Sequence, residues 1–366
     1  MSAAKVPAIL VSGIAEQPMA AATIALQWDL PSAVVVRHDV DPEREVLTRT
    51  VSDLTGLLEE VEIDVDHACV SCAIRNDVVP TLERLAATGR WGAIVAHLPI
   101  TADPVQVCRA VDLFADAAPH LRIAAAVVAL DGETLVEDLL GRDRLLDRGL
   151  PVRSDDDAGV AETASAMAEY ADVVGVTGEL DAAGRELLGL LVRPGVRVVD
   201  ATAELDPATL LAAVRRHEHS EDWVAVVRRD PLPDAVSGAA WVLDFRSDRP
   251  FHPDRLQQTI AVLGGGPRRS RGCFWLPSRP AQVCQWDGAG GTLSIGHCDH
   301  WDEHGPLTRI VVVGMDDGRE QLAEAFRSCL LTDHELAERG PYWEVMDDGF
   351  EPWLGPVRRL IIEEAS

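Results

Sequence analysis

Two cysteines separated by two residues, Cys69 and Cys72, are the clearest metal-competent pair in the sequence. Two thiolates at this spacing can meet one tetrahedral Zn²⁺ ion at Zn–S distances of about 2.3 Å. His67 is the nearest candidate for a third ligand, since a neutral imidazole also binds zinc. The competing interpretation is a pair of buried or redox-active cysteines, which the same spacing allows. The seven cysteines of the chain are scattered, so a disulfide framework is not expected.

A second group of metal-competent side chains lies in the segment "GHCDHWDEHG", with acidic residues between them. Its four candidate ligands fall within eight residues: His297, Cys298, His300 and His304. In a mobile loop they would form a weak site that exchanges its metal readily. The alternative is a solvated polar loop between two strands.

The segment "LVSGIAEQPMAAATI" stands where a phosphate-binding loop would stand, between a strand-like run and a helix-like run. If Gly13 takes the place of the first glycine of such a loop, Pro18 takes that of the second. Proline has no N–H to donate to a phosphate, and its φ angle is fixed. Met19 and Ala20 then replace the lysine and the Mg²⁺-binding threonine. We therefore expect no nucleotide cofactor and no catalytic residues here.

Short valine-rich runs alternate with helix-like segments of about 12 residues through the first two hundred residues. This alternation predicts an α/β domain over 1–212 with a doubly wound, mainly parallel sheet, in which ligands bind at the carboxyl ends of the strands. A segment rich in charge, histidine and proline predicts a linker at 213–236. Residues 237–366 then read as a small α+β domain with several antiparallel strands.

Three C-terminal segments carry a resemblance to a known family: "FRSDRPFHPDRL", "RRSRGCFWLPSRP" and "RIVVVGMDDGREQLAEAFRSCLLTDHE". They resemble the C-terminal domain of CobW-like proteins, which are metal-linked P-loop GTPases that include zinc metallochaperones. The resemblance covers most of the chain. It implies a P-loop GTPase-like fold for the first domain and a CobW-like C-terminal domain for the second.

Two further GTPase motifs of the family are altered in this chain. In "HLPITADP" the Ala102-Asp103-Pro104 end is kept, but His97 stands in the acidic position, and Pro99 and Ile100 stand in the Thr-Gly positions. The guanine-reading Asn-Lys-x-Asp is replaced by residues without those groups: Thr177, Gly178, Glu179 and Leu180. Three altered motifs together predict a pseudo-GTPase, a domain that has kept the fold without the enzymatic activity.

The metal motif of the family, Cys-x-Cys-Cys, resembles "HACVSCAIRND". Cys69 and Cys72 match its first and third cysteines, and Ser71 replaces the middle one. The segment "VVVRHDVD" matches the acidic loop after the second strand, so the resemblance adds His38, Asp39 and Asp41 to the candidate ligands. A partner protein could supply the missing ligands instead.

The formal net charge of −27 disfavours direct binding to nucleic acid and suits a basic protein partner, although an acidic surface also serves solubility. Apolar runs stay shorter than the roughly 18 to 20 residues of a membrane span, and the N-terminus does not read as a signal peptide. We therefore expect a cytoplasmic protein with no membrane partner.

Two functions compete at this point. The segments "RHDVD" and "HACVSCA" resemble an actinobacterial, mycobacterial branch of the family that recruits a ribosome-hibernation factor. That resemblance implies a non-enzymatic, zinc-linked adaptor, which delivers a basic hibernation factor to the 70S ribosome under zinc starvation, with zinc in a regulatory role. The alternative is a GTP-dependent zinc metallochaperone or another zinc-binding protein of the CobW family. A plain zinc store is a third option.

Overall fold

The computed structural model describes residues 5–64, 73–113, 116, 118–152, 157–213, 215–233 and 238–357. The chain divides into two compact units, Met1–Leu139 with Asp143–Val224 and Leu140–Arg142 with Ala225–Ser366. The segment predicted as a linker contains a helix, His217–Val224, which belongs to the first unit. Within the described ranges, no helix combines the length and the apolar composition that crossing a bilayer requires.

The first unit is built on eight strands: β1 Val6–Gly13, β2 Ala33–Asp41, β3 Val46–Asp53, β4 Gly56–Asp64, β5 Ala93–His97, β6 Leu121–Asp131, β7 Val173–Thr177 and β8 Arg197–Asp200. They form one sheet in the order β4-β3-β2-β5-β1-β6-β7-β8. The neighbours from β2 to β8 pair in parallel, and β3 and β4 extend the sheet as antiparallel strands. The predicted mainly parallel α/β sheet is therefore confirmed.

Helices cover both faces of this sheet. They are α1 Glu16–Trp28, α2 Val79–Ala87, α3 Pro104–Leu113, α4 Leu135–Leu140, α5 Val160–Tyr170, α6 Ala182–Leu191, α7 Pro207–Ala212 and α8 His217–Val224, with a π-helical turn, Ile74–Val78, before α2. One apolar core packs α2 and α3 on the sheet, and the other packs α1 and α7. Because successive strand residues point to opposite faces, strands buried on both sides read as the unbroken valine-rich runs of the sequence.

The second unit contains a five-stranded sheet of β9 Trp241–Ser247, β10 Arg268–Phe274, β11 Gln282–Ala289, β12 Thr292–His300 and β13 Thr308–Gly314. Its order is β12-β11-β10-β13-β9, and every neighbouring pair is antiparallel. The helices of this unit are α9 Pro253–Leu263, α10 Arg319–Cys329, α11 Asp333–Arg339 and α12 Glu351–Leu354. Phe251, Phe274, Trp286 and Phe326 are buried in the core between the sheet and its helices. The predicted α+β domain is confirmed.

The parallel register brings three strand ends of the first unit together. Val11 of β1 lies beside His97 of β5, and His97 lies beside Arg37 of β2. The carboxyl ends of β1, β5 and β2 thus share one edge of the sheet, where folds of this kind bind ligands.

Candidate functional site

The connection after β1 is short. β1 ends at Gly13 and α1 begins at Glu16, so the helix starts within the four positions that separate the two glycines of a phosphate-binding loop. Met19 is fully buried, and its Cγ and Sδ lie 3.0 and 3.4 Å from the place that a Cβ on Gly13 would take. The carbonyl oxygen of Ala129 lies 2.5 Å from the same place. Gly13 is therefore fixed by packing against Met19 and β6, and Pro18 is buried beside them.

His97 lies at the end of β5 and is 1% exposed. Its Nδ1 is 2.9 Å from the Oγ1 of Thr23 on α1. Its Nε2 is buried, makes no hydrogen bond, and lies 3.8 Å from Oε2 of Glu16, which is also buried without a hydrogen bond. Burial and the neighbouring Arg37 lower the pKa of His97 to about 4, so the ring is neutral near pH 7.

Arg37 occupies the edge beside His97 and binds two carboxylates. Its Nη1 donates to Oε1 of Glu16 at 2.5 Å, and its Nε donates to Oδ2 of Asp39 at 2.7 Å. The hydrogen bond with Asp39 raises the pKa of Arg37 above its already high ordinary value. With His97 neutral, these two carboxylates and one guanidinium leave a formal charge of −1 where a phosphate would approach.

The pKa of His97 gives a pH prediction. A histidine with a folded-state pKa of about 4 and an unfolded pKa of 6.5 binds fewer protons when folded, so it lowers stability as the pH falls from 6.5 to 4. The expected loss is about 3 kcal/mol over this window. We expect His97→Gln to remove this acid-dependent loss, measured by urea unfolding at several pH values. The exposed His334 gives the control His334→Gln, which should follow the wild type, and parallel curves for all three proteins would contradict the prediction.

A second polar cluster lies on the other face of β2. His38 is fully buried and its Nε2 is 2.9 Å from Oδ1 of Asp77, while Arg49 of β3 donates to Oδ2 of Asp77 at 2.5 Å. Burial alone would raise the pKa of Asp77, but the hydrogen bonds from His38 and Arg49 outweigh it and lower that pKa. Asp77 lies in the π-helical turn Ile74–Val78, so this ion pair anchors the segment that follows Cys72.

The candidate zinc ligands of the first unit are distributed as follows. His67, Cys69 and Cys72 lie outside the described residues. The carboxylate of Asp39 is bound by Arg37, and Oδ1 of Asp41 accepts the backbone N–H groups of Glu43 and Arg44, at 3.1 and 3.0 Å. Among the described residues, no three His, Cys, Asp or Glu side chains are close enough to hold a metal ion. The carboxylates of Asp39 and Asp41 make these contacts within the protein, and Cys69 and Cys72 remain the predicted zinc ligands.

The second predicted metal cluster was expected in a loop, but His297, Cys298 and His300 lie on strand β12, and only His304 lies in the turn after it. His297, Cys298 and His300 line a cleft of about 490 Å³ whose other wall includes Trp353. His304 lies in the following turn, with Nδ1 3.6 Å from Oδ2 of Asp302. Although they share this cleft, no three metal-competent side chains among the described residues are arranged so that they could hold one metal ion.

The segment matched to the guanine-reading motif begins at Thr177, the last residue of β7. Gly178 has a φ of +73°, which favours glycine there. The carboxylate of the next acidic residue, Asp181, accepts the backbone N–H of Gly184 at 2.7 Å and so caps α6. The carboxylate of Asp181 is thus engaged in holding the helix.

Sequence reasoning missed the partners that complete these clusters. Glu16 and Arg37 are far apart in sequence and meet only through the parallel register of β1, β5 and β2. Arg49 reaches Asp77 because β3 folds back on β2. Local spacing carries no signal for either contact.

Comparison with known proteins gives one domain match and several relatives. The cobalamin synthesis protein cobW C-terminal domain matches residues 241–330. The chain is 28% identical over 360 residues to the zinc chaperone Rv0106 of Mycobacterium tuberculosis, covering 87% of each protein. It is 20% identical over 356 residues to the zinc-regulated GTPase metalloprotein activator 1 of Dictyostelium discoideum, covering 85% of this chain and 73% of that protein.

Among solved structures, the chain is similar to the Zn(II)-bound YjiA GTPase from E. coli. The identity is 14% and the TM-score is 0.35, with 89% of this chain and 99% of that chain covered. A Zn(II)-bound triple mutant of the same GTPase gives a TM-score of 0.36 at 13% identity.

Proposed function

This chain is a CobW-like protein, and we propose that it handles zinc as cargo without binding or hydrolysing GTP. The zinc part of the proposal is supported by relatives that are named a zinc chaperone and a zinc-regulated GTPase metalloprotein activator. Zinc would be carried by the thiolates of Cys69 and Cys72, with further ligands from the chain or from the receiving protein.

The observation that carries the GTP part of the proposal is the path of the chain after β1. A phosphate-binding loop wraps its ligand with backbone N–H groups from the residues between its glycines. Here α1 begins at Glu16, so only Ile14 and Ala15 lie between Gly13 and the helix, too few to form the wrapping loop, and Pro18 lacks an N–H. Met19 is buried against Gly13 in place of a lysine that would reach the phosphates.

Charge and base recognition support the same proposal. Glu16 and Asp39 surround the guanidinium of Arg37, so the edge is unfavourable for a triphosphate. Asp181 is occupied as the cap of α6, and the four positions of the base-reading motif offer neither an amide side chain nor a lysine.

Titration with a fluorescent GTP analogue tests this part of the proposal. We expect no saturable binding at millimolar nucleotide, with or without Mg²⁺ and Zn²⁺, and no GTP hydrolysis above the background rate. Arg37→Gln is the control, because any weak signal from nucleotide at this edge should fall when its guanidinium is removed. Saturable binding in the micromolar range, together with metal-stimulated hydrolysis, would overturn the proposal in favour of a GTP-dependent metallochaperone.

We further propose that this protein binds a basic partner, a ribosome-hibernation factor, and brings it to the 70S ribosome when zinc is scarce, with zinc in a regulatory role. The formal net charge of −27 supports a basic partner, because long-range attraction raises the association rate of oppositely charged proteins. It equally disfavours direct contact with rRNA.

Co-sedimentation with 70S ribosomes and the hibernation factor tests the partner, with and without zinc. We expect factor occupancy to rise when this protein is added, and the zinc dependence to disappear in Cys69→Ala/Cys72→Ala but not in Cys298→Ala. Factor occupancy that does not depend on this protein would refute the partner. Dependence on the protein but not on zinc or the two cysteines would refute only the zinc control.

A further inference from the structure

A pocket at the amino-terminal ends of β6, β7 and β8 concentrates positive charge on this acidic chain. Its volume is about 380 Å³, and four arginines line it: Arg193, Arg197, Arg215 and Arg216. Asp172 and His219 also line this cationic pocket. Gly13 pairs with Ala129 near the other end of β6, so the pocket lies at the opposite edge of the sheet from the loop after β1.

Two of the arginines are held in place by the fold. Nε of Arg215 donates to Oδ2 of Asp172 at 2.6 Å, and its guanidinium lies 5.0 Å from the ring centre of Tyr170. Nη2 of Arg193 donates to Oδ1 of Asp172 at 2.8 Å. The Arg215 side chain is only 3% exposed. These two guanidiniums therefore need little further ordering when an anion binds.

The charges in the pocket are not balanced. Asp172 offsets one of the four guanidinium charges, which leaves a formal charge of +3 among the lining residues. Both oxygens of Asp172 are engaged by Arg193, Arg215 and the backbone N–H of Ala126. Nε of Arg193 is buried and makes no hydrogen bond. An unpaired buried donor destabilises the protein, and an acceptor on a ligand would satisfy it.

The remaining walls suggest the size of the ligand. Ala124, Ala125, Val173 and Leu210 give the pocket an apolar floor. Arg197 and Arg216 are exposed at its rim. A volume of about 380 Å³ is within the range of small-molecule sites and too small for a folded partner.

We propose that the cationic pocket binds a small molecule that carries a phosphate group. Several guanidiniums around one pocket suit a compact dianion, because their forked N–H groups match the oxygens of a phosphate. The net charge of −27 disfavours a nucleic acid as the source of that phosphate. This inference depends on neither zinc nor GTP.

Calorimetric titration of the full chain at low ionic strength tests the proposal, since salt screens exposed charges. The probes are inorganic phosphate, pyrophosphate and ribose 5-phosphate, with citrate as a carboxylate comparison. The variant is Arg197→Gln/Arg216→Gln, which changes two exposed side chains and leaves Arg193 and Arg215 in place. Arg185→Gln/Arg319→Gln is the matched control, because it removes the same charge from exposed positions outside the pocket.

We expect one saturable site per chain for at least one phosphate probe. The pocket variant should weaken its binding by at least about tenfold, and the matched control by less than about twofold. Tighter binding of ribose 5-phosphate than of the two inorganic probes would indicate a phosphorylated organic molecule, and the reverse order an inorganic anion. The proposal fails if no phosphate probe saturates, if both variants lose binding equally, or if citrate binds as tightly as the best phosphate probe.

Discussion

Replacing Cys69 and Cys72 together with serine is expected to abolish stoichiometric zinc binding. The two thiolates are the softest candidate ligands of the first unit, and serine hydroxyls do not replace them at neutral pH. Losing an outer-shell partner already costs up to roughly 100-fold in metal affinity, so losing both ligands should cost more. Competition with a chromophoric zinc chelator measures the affinity.

The matched control for this result is His297→Ala/His300→Ala, which changes the cleft on β12 instead. Its zinc affinity should equal that of the wild type, because the described residues there do not form a group of three ligands. The prediction would be wrong if the double-cysteine variant kept the wild-type zinc affinity and the double-histidine variant lost it. That outcome would place the zinc site in the second unit.

Arg279→Met is expected to lower the free energy of unfolding of the second unit by about 3–5 kcal/mol. Arg279 and Asp348 form a buried ion pair whose side chains are 1% and 0% exposed. The same guanidinium donates to the carbonyl oxygens of Leu354 and Gly355, and Ser278 donates to Asp348. Removing the cation leaves a carboxylate and two carbonyls without their donor in a place that water reaches poorly.

Urea unfolding followed by tryptophan fluorescence measures this effect. Arg279→Met/Asp348→Leu should lose much less than Arg279→Met, because it leaves no isolated buried charge. Arg327→Met, at an exposed position on α10, is the control and should change stability by less than about 0.5 kcal/mol. If Arg279→Met were as stable as Arg327→Met, the ion pair between Arg279 and Asp348 would contribute little to the free energy of unfolding.

The sequence was sufficient to predict most of the fold. Buried parallel strands such as β1 and β6 are continuous apolar runs, and amphipathic helices separate them, so both periodicities are local. The exception is the segment 43–61, whose sequence pattern favours neither a helix nor a strand and which contributes β3 and most of β4. β4 is an edge strand that exposes Leu57 and Leu58, so it is held by pairing with β3 rather than by burial. Its sequence therefore shows only a weak alternation of apolar and polar residues.

The candidate sites were less predictable because their groups come from distant segments. Gly13, Pro18 and Met19 can be identified from the sequence because a phosphate-binding motif is defined by residue types at fixed positions along the chain. The ring of His97 lies against Thr23, and the carboxylate of Glu16 meets Arg37, only because three strands adopt one parallel register. The arginines of the cationic pocket come from the start of β8 and from the loops before β8 and after α7, and they show no recognisable spacing.

The early start of α1 decides whether substitutions alone could give this domain a phosphate-binding loop. Substituting Gly, Lys and Thr for Pro18, Met19 and Ala20 would supply the residue types of a phosphate-binding motif. The backbone that carries them would still be helical from Glu16. The first turn would have to unwind, and the cavity left by Met19 would have to be refilled, before any side chain could act. We therefore expect these substitutions to lower the stability of the domain without giving it a phosphate-binding loop.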